Sequence, residues 1–337
     1  MKLSKIKDDE IENFSGVISR QVLGKIQHLR QGRFIVLDLL PGGDAPKDFI
    51  SIYEYGEGLR KYPKTWPKYI AKIGHKWYPI ESITEYLLNR IGEVLGLHVA
   101  KSKLYIVDNQ LRFCSKYFLA PNESLVHGAQ IYSACLEESN DDFVEEVEGA
   151  GLSRELFTFQ FTYDSVKCVF PENSKEIMES FVKLLIFDAL VGNNDRHFYN
   201  WGVITDIYGK VLPRFSPIYD TARGLFWNYS EEKVQKFVSL DKTIDFDHLN
   251  KYIDKSMPKT GWESLKNPNH IELISSIASQ YPEFKNLVPE IIRDENLLKI
   301  KDLLTLEFKH LLSFQRYKLI ETCLESRFLR LKDSIQS

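Results

Sequence analysis

The sequence predicts an α+β chain in two lobes, a small β-rich lobe followed by a larger, mainly helical one. Three observations carry this. The 337 residues exceed the usual size of one compact domain. Strand-like runs crowd the first third, and helical periodicity takes over after it. With 43% hydrophobic and 13% aromatic residues and no polar low-complexity tract, the chain has ample material for a core.

Residues 1–32 form an N-terminal extension without a readable role, and the first lobe is assigned to residues 33–120. Its strands are read from RFIVLDLL, FISIYEY and KYIAKI, then from HVAKSKLYIV and LRFCSKYF around the turn signal Asp108-Asn109. One helix lies among them: from Ser82, the residues Ile83, Leu87, Ile91 and Leu95 recur at helical spacing, and Gly96 supplies a stop. Residues 121–337 form the helical lobe. Its acidic run LEESNDDFVEEVEGAG reads as solvated surface or loop. Its clearest helix spans Ser174 to Val191, with Asn173 and Glu176 as capping-box-like start signals and Gly192 as the stop. WGVITDIYGKVLPRF reads as a hairpin turning near Tyr208-Gly209. Near the end, Phe314, Tyr317, Ile320, Leu324, Phe328 and Leu331 make an apolar stripe of the kind that packs into a core.

Composition also narrows the function classes. A formal charge of −3 supplies no global field to draw in nucleic acid or an anionic membrane, so neither is an expected partner. The start MKLSKIKDDE is charged, and the most apolar stretch, SFVKLLIFDALVG, is broken by Lys183 and Asp188. Neither a signal peptide nor a membrane span is expected, and the cytoplasm is the expected compartment, with export as an effector left open. Cys114, Cys135, Cys168 and Cys323 lie far apart in sequence and read as buried free thiols.

The chemistry concentrates where the long helix stops. Asn193-Asn194-Asp195-Arg196-His197 follows it directly, Asn200 comes three residues later, and the hairpin then leads to Asp220. A strand advances roughly 3.3 Å per residue, so going out along one arm and back along the other returns Asp220 toward Asn200. Asp195, Asn200 and Asp220 thus bring together two carboxylates and an amide oxygen, hard ligands suited to Mg²⁺ rather than zinc. Phosphoryl transfer uses such a set: one carboxylate for the acceptor hydroxyl, an amide and a second carboxylate for metal on the phosphates. The step from Asp195 to Asn200 equals that of the protein-kinase catalytic loop D-x-x-x-x-N. Alone, that spacing more often marks a turn or cap; the order of helix, loop, hairpin and second Asp is what gives it weight.

Other side chains keep two readings. His197 has no second ligand at i+3 or i+4 and reads as a loop brace, while Arg196 suits either a phosphate or an ion pair. Ile70 and Lys72 share one strand face, so Lys72 points either at a nucleotide or out along a sheet edge. Glu85 suits pairing with Lys72, or a capping box with Ser82. Gly42 and Gly43 suit close backbone approach to phosphate or an ordinary turn.

LLIFDALVGNNDRHFYNWGVI and SPIYDTARGLF resemble the signature of the HipA-like serine/threonine protein kinases, roughly N-x-D-R-H-x-x-N-W-G and then P-[IL]-[YF]-D. TEYLLNRIGEVLGLHVAKSKLY is similar to the helix and strand after the ATP lysine in compact, CtkA-type members. The resemblance runs over most of residues 33–230 and implies a two-lobed protein-kinase-like fold. It also implies Asp195 as catalytic base, Asn200 and Asp220 as Mg²⁺ ligands, Lys72 as ATP lysine with Glu85 as its partner, and ATP and Mg²⁺ as cofactors. A protein substrate, and an antitoxin or other regulatory partner of a toxin–antitoxin pair, are implied in the same way. The family's S-x-x-G-x-Q-x-K phosphate loop corresponds here to LLPGGDAPK, which keeps Gly43 and Lys47 but has Leu40 and Ala45, so its serine switch has no counterpart. The nearest hydroxyl, Ser51, falls in a strand. CSKYFLAP matches the family's hinge in position only. Three other readings remain: a small-molecule or lipid kinase on the same fold, a catalytically silent kinase-like interaction module, and a metal-dependent hydrolase using Asp195 and His197.

Overall fold

The computed structural model describes residues 25–38, 47–74, 80–107, 110–138, 141–239 and 243–335. Five strands build an antiparallel sheet: β1 (Phe34–Val36), β2 (Lys47–Ile52), β3 (Lys68–Lys72), β4 (Ser102–Val107) and β5 (Gln110–Lys116), in the order β1-β2-β3-β5-β4. Strand parity decides what each face does. Tyr69 and Ala71 of β3 pack into a small core with Ile50, Ile52, Tyr105, Val107 and Cys114, while Ile70 and Lys72 face a cleft. Ser51 is buried in β2 opposite Lys68, as its strand position implies. Of the N-terminal extension, residues 25–32 are described: Leu29 donates its N–H to Ile106 O at 2.8 Å beside β4, and Ile26 joins the main core.

Helix α1 (Glu81–Val94) crosses between β3 and β4 and buries Ile83, Leu87, Leu88 and Ile91. Its Asn89 clamps two neighbours. The side-chain amide donates to Ala100 O and Ser102 Oγ at 3.0 and 3.2 Å, and Oδ1 accepts from Thr221 Oγ1 at 2.9 Å. The chain beyond the cleft is tied in again where Ala100 N donates to Ile218 O and Ile218 N to His98 O. Both links act beside Asp220.

The larger lobe contains a three-stranded sheet, β6 (Glu123–His127), β7 (Gly202–Asp206) and β8 (Arg214–Phe215), with β7 in the middle. Its helices are α2 (Gly128–Cys135), α3 (Asp142–Gly149), α4 (Ser153–Leu156), α5 (Phe159–Val169), α6 (Ser174–Val191), α7 (Glu231–Gln235), α8 (Phe246–Asp254), α9 (His270–Gln280), α10 (Leu287–Ile291), α11 (Asp294–Leu303) and α12 (Phe314–Asp333). Buried all round from Leu184 to Val191, α6 is the axis against which α5, α9, α10 and α12 pack. The stripe of α12 packs as core, although Phe314 at its start stays exposed. Among the described residues no helix is long and apolar enough to cross a membrane.

Several expectations change here. The segment ESLVH is strand β6, which completes a sheet with the expected hairpin. The acidic run holds α3, because Val144 is fully buried and Phe143 and Val147 pack against the core beside it. Asn173 stands at the N-cap of α6 without capping it; its amide donates instead to the carbonyl of Pro213. Cys114 and Cys323 are buried thiols, but Cys168 is exposed and meets Cys135 across α2 and α5.

Gly192 ends α6 with φ of 65°, the left-handed conformation that costs an L-residue about 1–2 kcal/mol. A Cβ there would also come within 2.7 Å of the Arg327 guanidinium, whose Nη1 donates to Ala189 O. Gly192→Ala is therefore expected to lower unfolding stability by at least about 1 kcal/mol. Urea denaturation checks this, and an unchanged midpoint would mean that the turn relaxes at no cost.

Candidate active site

A cleft of about 790 Å³ opens between the five-stranded sheet and the helical lobe, lined by Lys72, Glu85, Asp195, Asn200 and Asp220 among others. Five of the seven site residues expected from sequence thus meet in one cavity. Gly42 and Gly43, with Leu40 and Ala45, lie outside the described residues.

The centre of the cleft is a three-residue knot. Lys72 Nζ donates to Glu85 Oε1 at 2.9 Å and to Asp220 Oδ1 at 2.8 Å, joining β3, α1 and the segment after β8. Ser82 does not form the capping box: α1 begins one residue earlier, Ile80 is its N-cap, the Ser82 hydroxyl has no partner, and the Glu85 carboxylate goes to Lys72. One ammonium cannot fully neutralise two carboxylates, the buried Glu85 and the partly exposed Asp220. Burial alone would raise Asp220, but Lys72 outweighs it and holds the carboxyl down at about 2. Burial raises Glu85 to about 7; Lys72 opposes the rise and the Asp220 charge adds to it. Burial disfavours the Lys72 charge, yet its two partners push its pKa up. Asp220 has φ of 52°, an uncommon conformation for a residue with a side chain.

Behind the cleft, the segment after Gly192 is pinned residue by residue. Asn193 donates to Asp188 Oδ1 at 3.0 Å and accepts from Asp195 N at 3.2 Å. Asn194 Oδ1 accepts from Ser256 Oγ at 2.8 Å. Arg196 reaches no phosphate position. Its guanidinium is buried, pairs with both oxygens of Asp188 at 2.9 and 3.0 Å, and donates to the carbonyls of Asn200 and Tyr219 at 2.9 and 2.6 Å. His197 Nδ1 accepts from Tyr199 N at 3.3 Å, the loop brace expected of it. With this scaffold fixed, the Asp195 side chain remains 38% exposed at the cleft. Asn200 donates through Nδ2 to Asp195 O at 3.0 Å, which leaves its Oδ1 without a partner among the described residues.

The cleft also has residues that sequence reasoning passed over. Arg223 stands between Glu81 and Asp195. Tyr219, under Asp220, donates to Tyr199 O at 3.0 Å and packs its ring on Phe118. Glu145 and Glu148 of α3 line the rim. Arg223 has no local signal beyond its position three residues after Asp220; the α3 acids were visible only as charge. Among the described residues no three His, Cys, Asp or Glu side chains cluster as a metal site.

The model of the HipA-like C-terminal domain family matches residues 40–281, a span that contains the whole cleft set. The chain belongs to that family. This HipA-like chain is similar in structure to the Helicobacter pylori proinflammatory kinase CtkA, with a TM-score of 0.70 and 18% identity over 92% of this chain and 96% of the other. A match at TM-score 0.38 and 16% identity, over 100% of this chain and 73% of the other, is to HipA of the Shewanella oneidensis MR-1 toxin–antitoxin system, solved with HipB and operator DNA. No curated protein matches the chain. The likeness to CtkA shows the two-lobed, protein-kinase-like fold that the resemblance implies.

In the HipA-like cleft, Glu85 makes stability depend on pH. A carboxyl whose pKa rises on folding, from 4.5 to about 7, binds its proton in the folded chain where the unfolded chain has lost it. Stability contributed by Glu85 is therefore lost as pH rises across that window. Asp220, held below its ordinary 3.8, acts in the opposite sense only at lower pH. Thermal melts between pH 5 and 7.5 are expected to show a downward slope that Glu85→Gln reduces; an identical slope in both proteins would contradict the assignment.

Proposed function

We propose that this chain is an ATP- and Mg²⁺-dependent serine/threonine protein kinase of the HipA-like type. The observation that carries the proposal is the set of uncommitted oxygens around Lys72. Asn200 Oδ1, and the Asp220 oxygen that does not pair with Lys72, have no partner among the described residues and line the cleft that contains Asp195. An amide and an ionised carboxylate are the hard donors that Mg²⁺ takes, so these residues fit the ion. Bound there, Mg²⁺ would neutralise charge on the nucleotide phosphates.

The remaining roles follow from position. Lys72, oriented by Glu85, donates to phosphate oxygens. Phe118 and Leu119 line the cleft and make no backbone hydrogen bond among the described residues, which leaves their N–H and C=O groups for a nucleobase edge. Ile70, Ile73 and Leu125 provide apolar walls for its faces. Asp195, on a pinned loop with its carboxylate at the cleft, orients the acceptor hydroxyl and takes its proton. The absence of a serine in LLPGGDAPK and the burial of Ser51 in β2 argue against control by a phosphate-loop serine. Family membership supports control by a regulatory protein of the antitoxin type, with the cytoplasm as the site of action.

Incubation with radiolabelled ATP and Mg²⁺, with protein and small-molecule acceptors in separate arms, tests the reading. Label in protein is the expected result; label only in a sugar or lipid arm would replace the substrate class. Asp195→Asn is expected to slow transfer by about 10²- to 10⁴-fold while nucleotide still binds, and transfer at the wild-type rate would remove Asp195 from its role. For Asp220→Ala and Asn200→Ala, calorimetry is expected to show weaker Mg·ATP binding and a reduced dependence on Mg²⁺. Unchanged affinity in both would move the metal site elsewhere.

A further inference from the structure

Phosphoryl transfer develops charge on the three equatorial oxygens of the moving group, and a cation with free donors must meet them. The cleft's basic residues differ in what they have left to give. Lys72 has two of its three donors committed to Glu85 and Asp220, which leaves one for the nucleotide phosphates. Lys116 pairs with Glu57, and Lys47, at the start of β2 on the cleft wall, directs its charge at Asp220. Arg196 is buried under the loop with its donors occupied.

Arg223 is different. Its Nε lies 3.5 Å from Glu81 Oε1 and 3.8 Å from Asp195 Oδ2, beyond hydrogen-bonding distance of either carboxylate. Its guanidinium donates no hydrogen bond to any described residue. It rests over the Trp227 ring at 4.0 Å from the centroid and is 35% exposed. The pair with Asp195 joins two partly exposed groups and contributes only about 0–1 kcal/mol, and the contact with the buried Glu81 is long, so neither fixes the head in place. The backbone beneath is held more tightly. Thr221 is bonded to Asn89, and Gly224 lies so close to Val191 O that a Cβ there would stand 2.8 Å away. A rigid base, an aromatic platform and unspent donors beside the acceptor carboxylate describe a guanidinium able to change partners.

We propose that Arg223 is the residue that stabilises the transferring phosphoryl group, moving from Asp195 onto its oxygens. This rests on the kinase reading above. In the step, the acceptor oxygen forms its bond to the γ-phosphorus as the bond from that phosphorus to the bridging oxygen breaks, and ADP departs with the electron pair. The acceptor proton passes to Asp195. By leaving the Asp195 carboxylate for the phosphoryl oxygens, Arg223 frees the base and neutralises the charge at the same stage.

Single-turnover transfer from labelled ATP by the full chain, with Mg·ATP affinity by calorimetry and a thermal melt, tests this in Arg223→Met and Arg223→Lys. Met keeps the stem and removes the charge. The transfer rate is expected to fall by about 10²- to 10³-fold, with nucleotide affinity and melting temperature unchanged, and Lys is expected to recover part of the rate. Full rate in Arg223→Met would overturn the proposal. So would losses of affinity and melting temperature that account for the slower rate, since they would make Arg223 a brace between α1 and the loop. A wild-type chain that transfers no phosphate to any acceptor would overturn the kinase reading and this role with it, and that outcome is read before any variant is compared.

Discussion

Lys72 places one positive charge between two carboxylates, the buried Glu85 and the cleft-facing Asp220, that belong to different parts of the fold. Glu85 is on α1 and Asp220 follows β8, so the ammonium holds the sheet, the helix and the floor of the cleft to one geometry. Neither carboxylate can be removed without changing the charge balance of the other two groups, since an unpaired buried charge is costly. The unequal division of that single charge leaves Asp220 ionised and Glu85 close to neutrality's edge at ordinary pH. An Asp220 carboxylate held ionised, beside a Glu85 that titrates, is what the proposed Mg²⁺ site requires.

The same division between fixed and adjustable parts recurs in the loop. Arg196 and Asp188 form a buried, two-point ion pair that also collects the carbonyls of Asn200 and Tyr219. That one pair sets the backbone positions of Asp195, Asn200 and Asp220 relative to α6. Its value lies in geometry more than in net stability, because desolvation offsets much of the attraction between buried charges. On the open side, Asp195 and Arg223 are partly exposed, and Arg223 is only loosely paired with Asp195 and with the buried Glu81. Rigid support behind the base and loose charges in front of it are what a transfer site needs, since precision and rearrangement are demanded of different groups.

Much of this was legible in the sequence where local rules and long-range demands agree. Strand parity put Lys72 on one face with Ile70, the glycine stop of α6 marked where the loop starts, and the hairpin length returned Asp220 toward Asn200. Where a local signal and a distant partner compete for one side chain, sequence alone leaves the choice open. Ser82 and Glu85 have the spacing of a capping box, and only the ammonium of Lys72 decides between the roles. Arg196 was ambiguous for the same reason, until Asp188 eight residues earlier claimed it. Strand β6 is short and pairs with residues almost eighty positions later, and α3 hides one buried valine in an acidic run. Arg223 and the meeting of Cys135 with Cys168 depend on packing that no nearby residue announces.

The most direct measurement is a crystal structure with Mn²⁺ and a non-hydrolysable ATP analogue, using anomalous scattering to locate the metal. The account predicts a manganese peak in contact with Asn200 Oδ1 and an Asp220 carboxylate oxygen, with Lys72 on the phosphates and the terminal phosphoryl group facing Asp195. A metal bound away from Asn200 and Asp220, or an analogue seated outside this cleft, would contradict it.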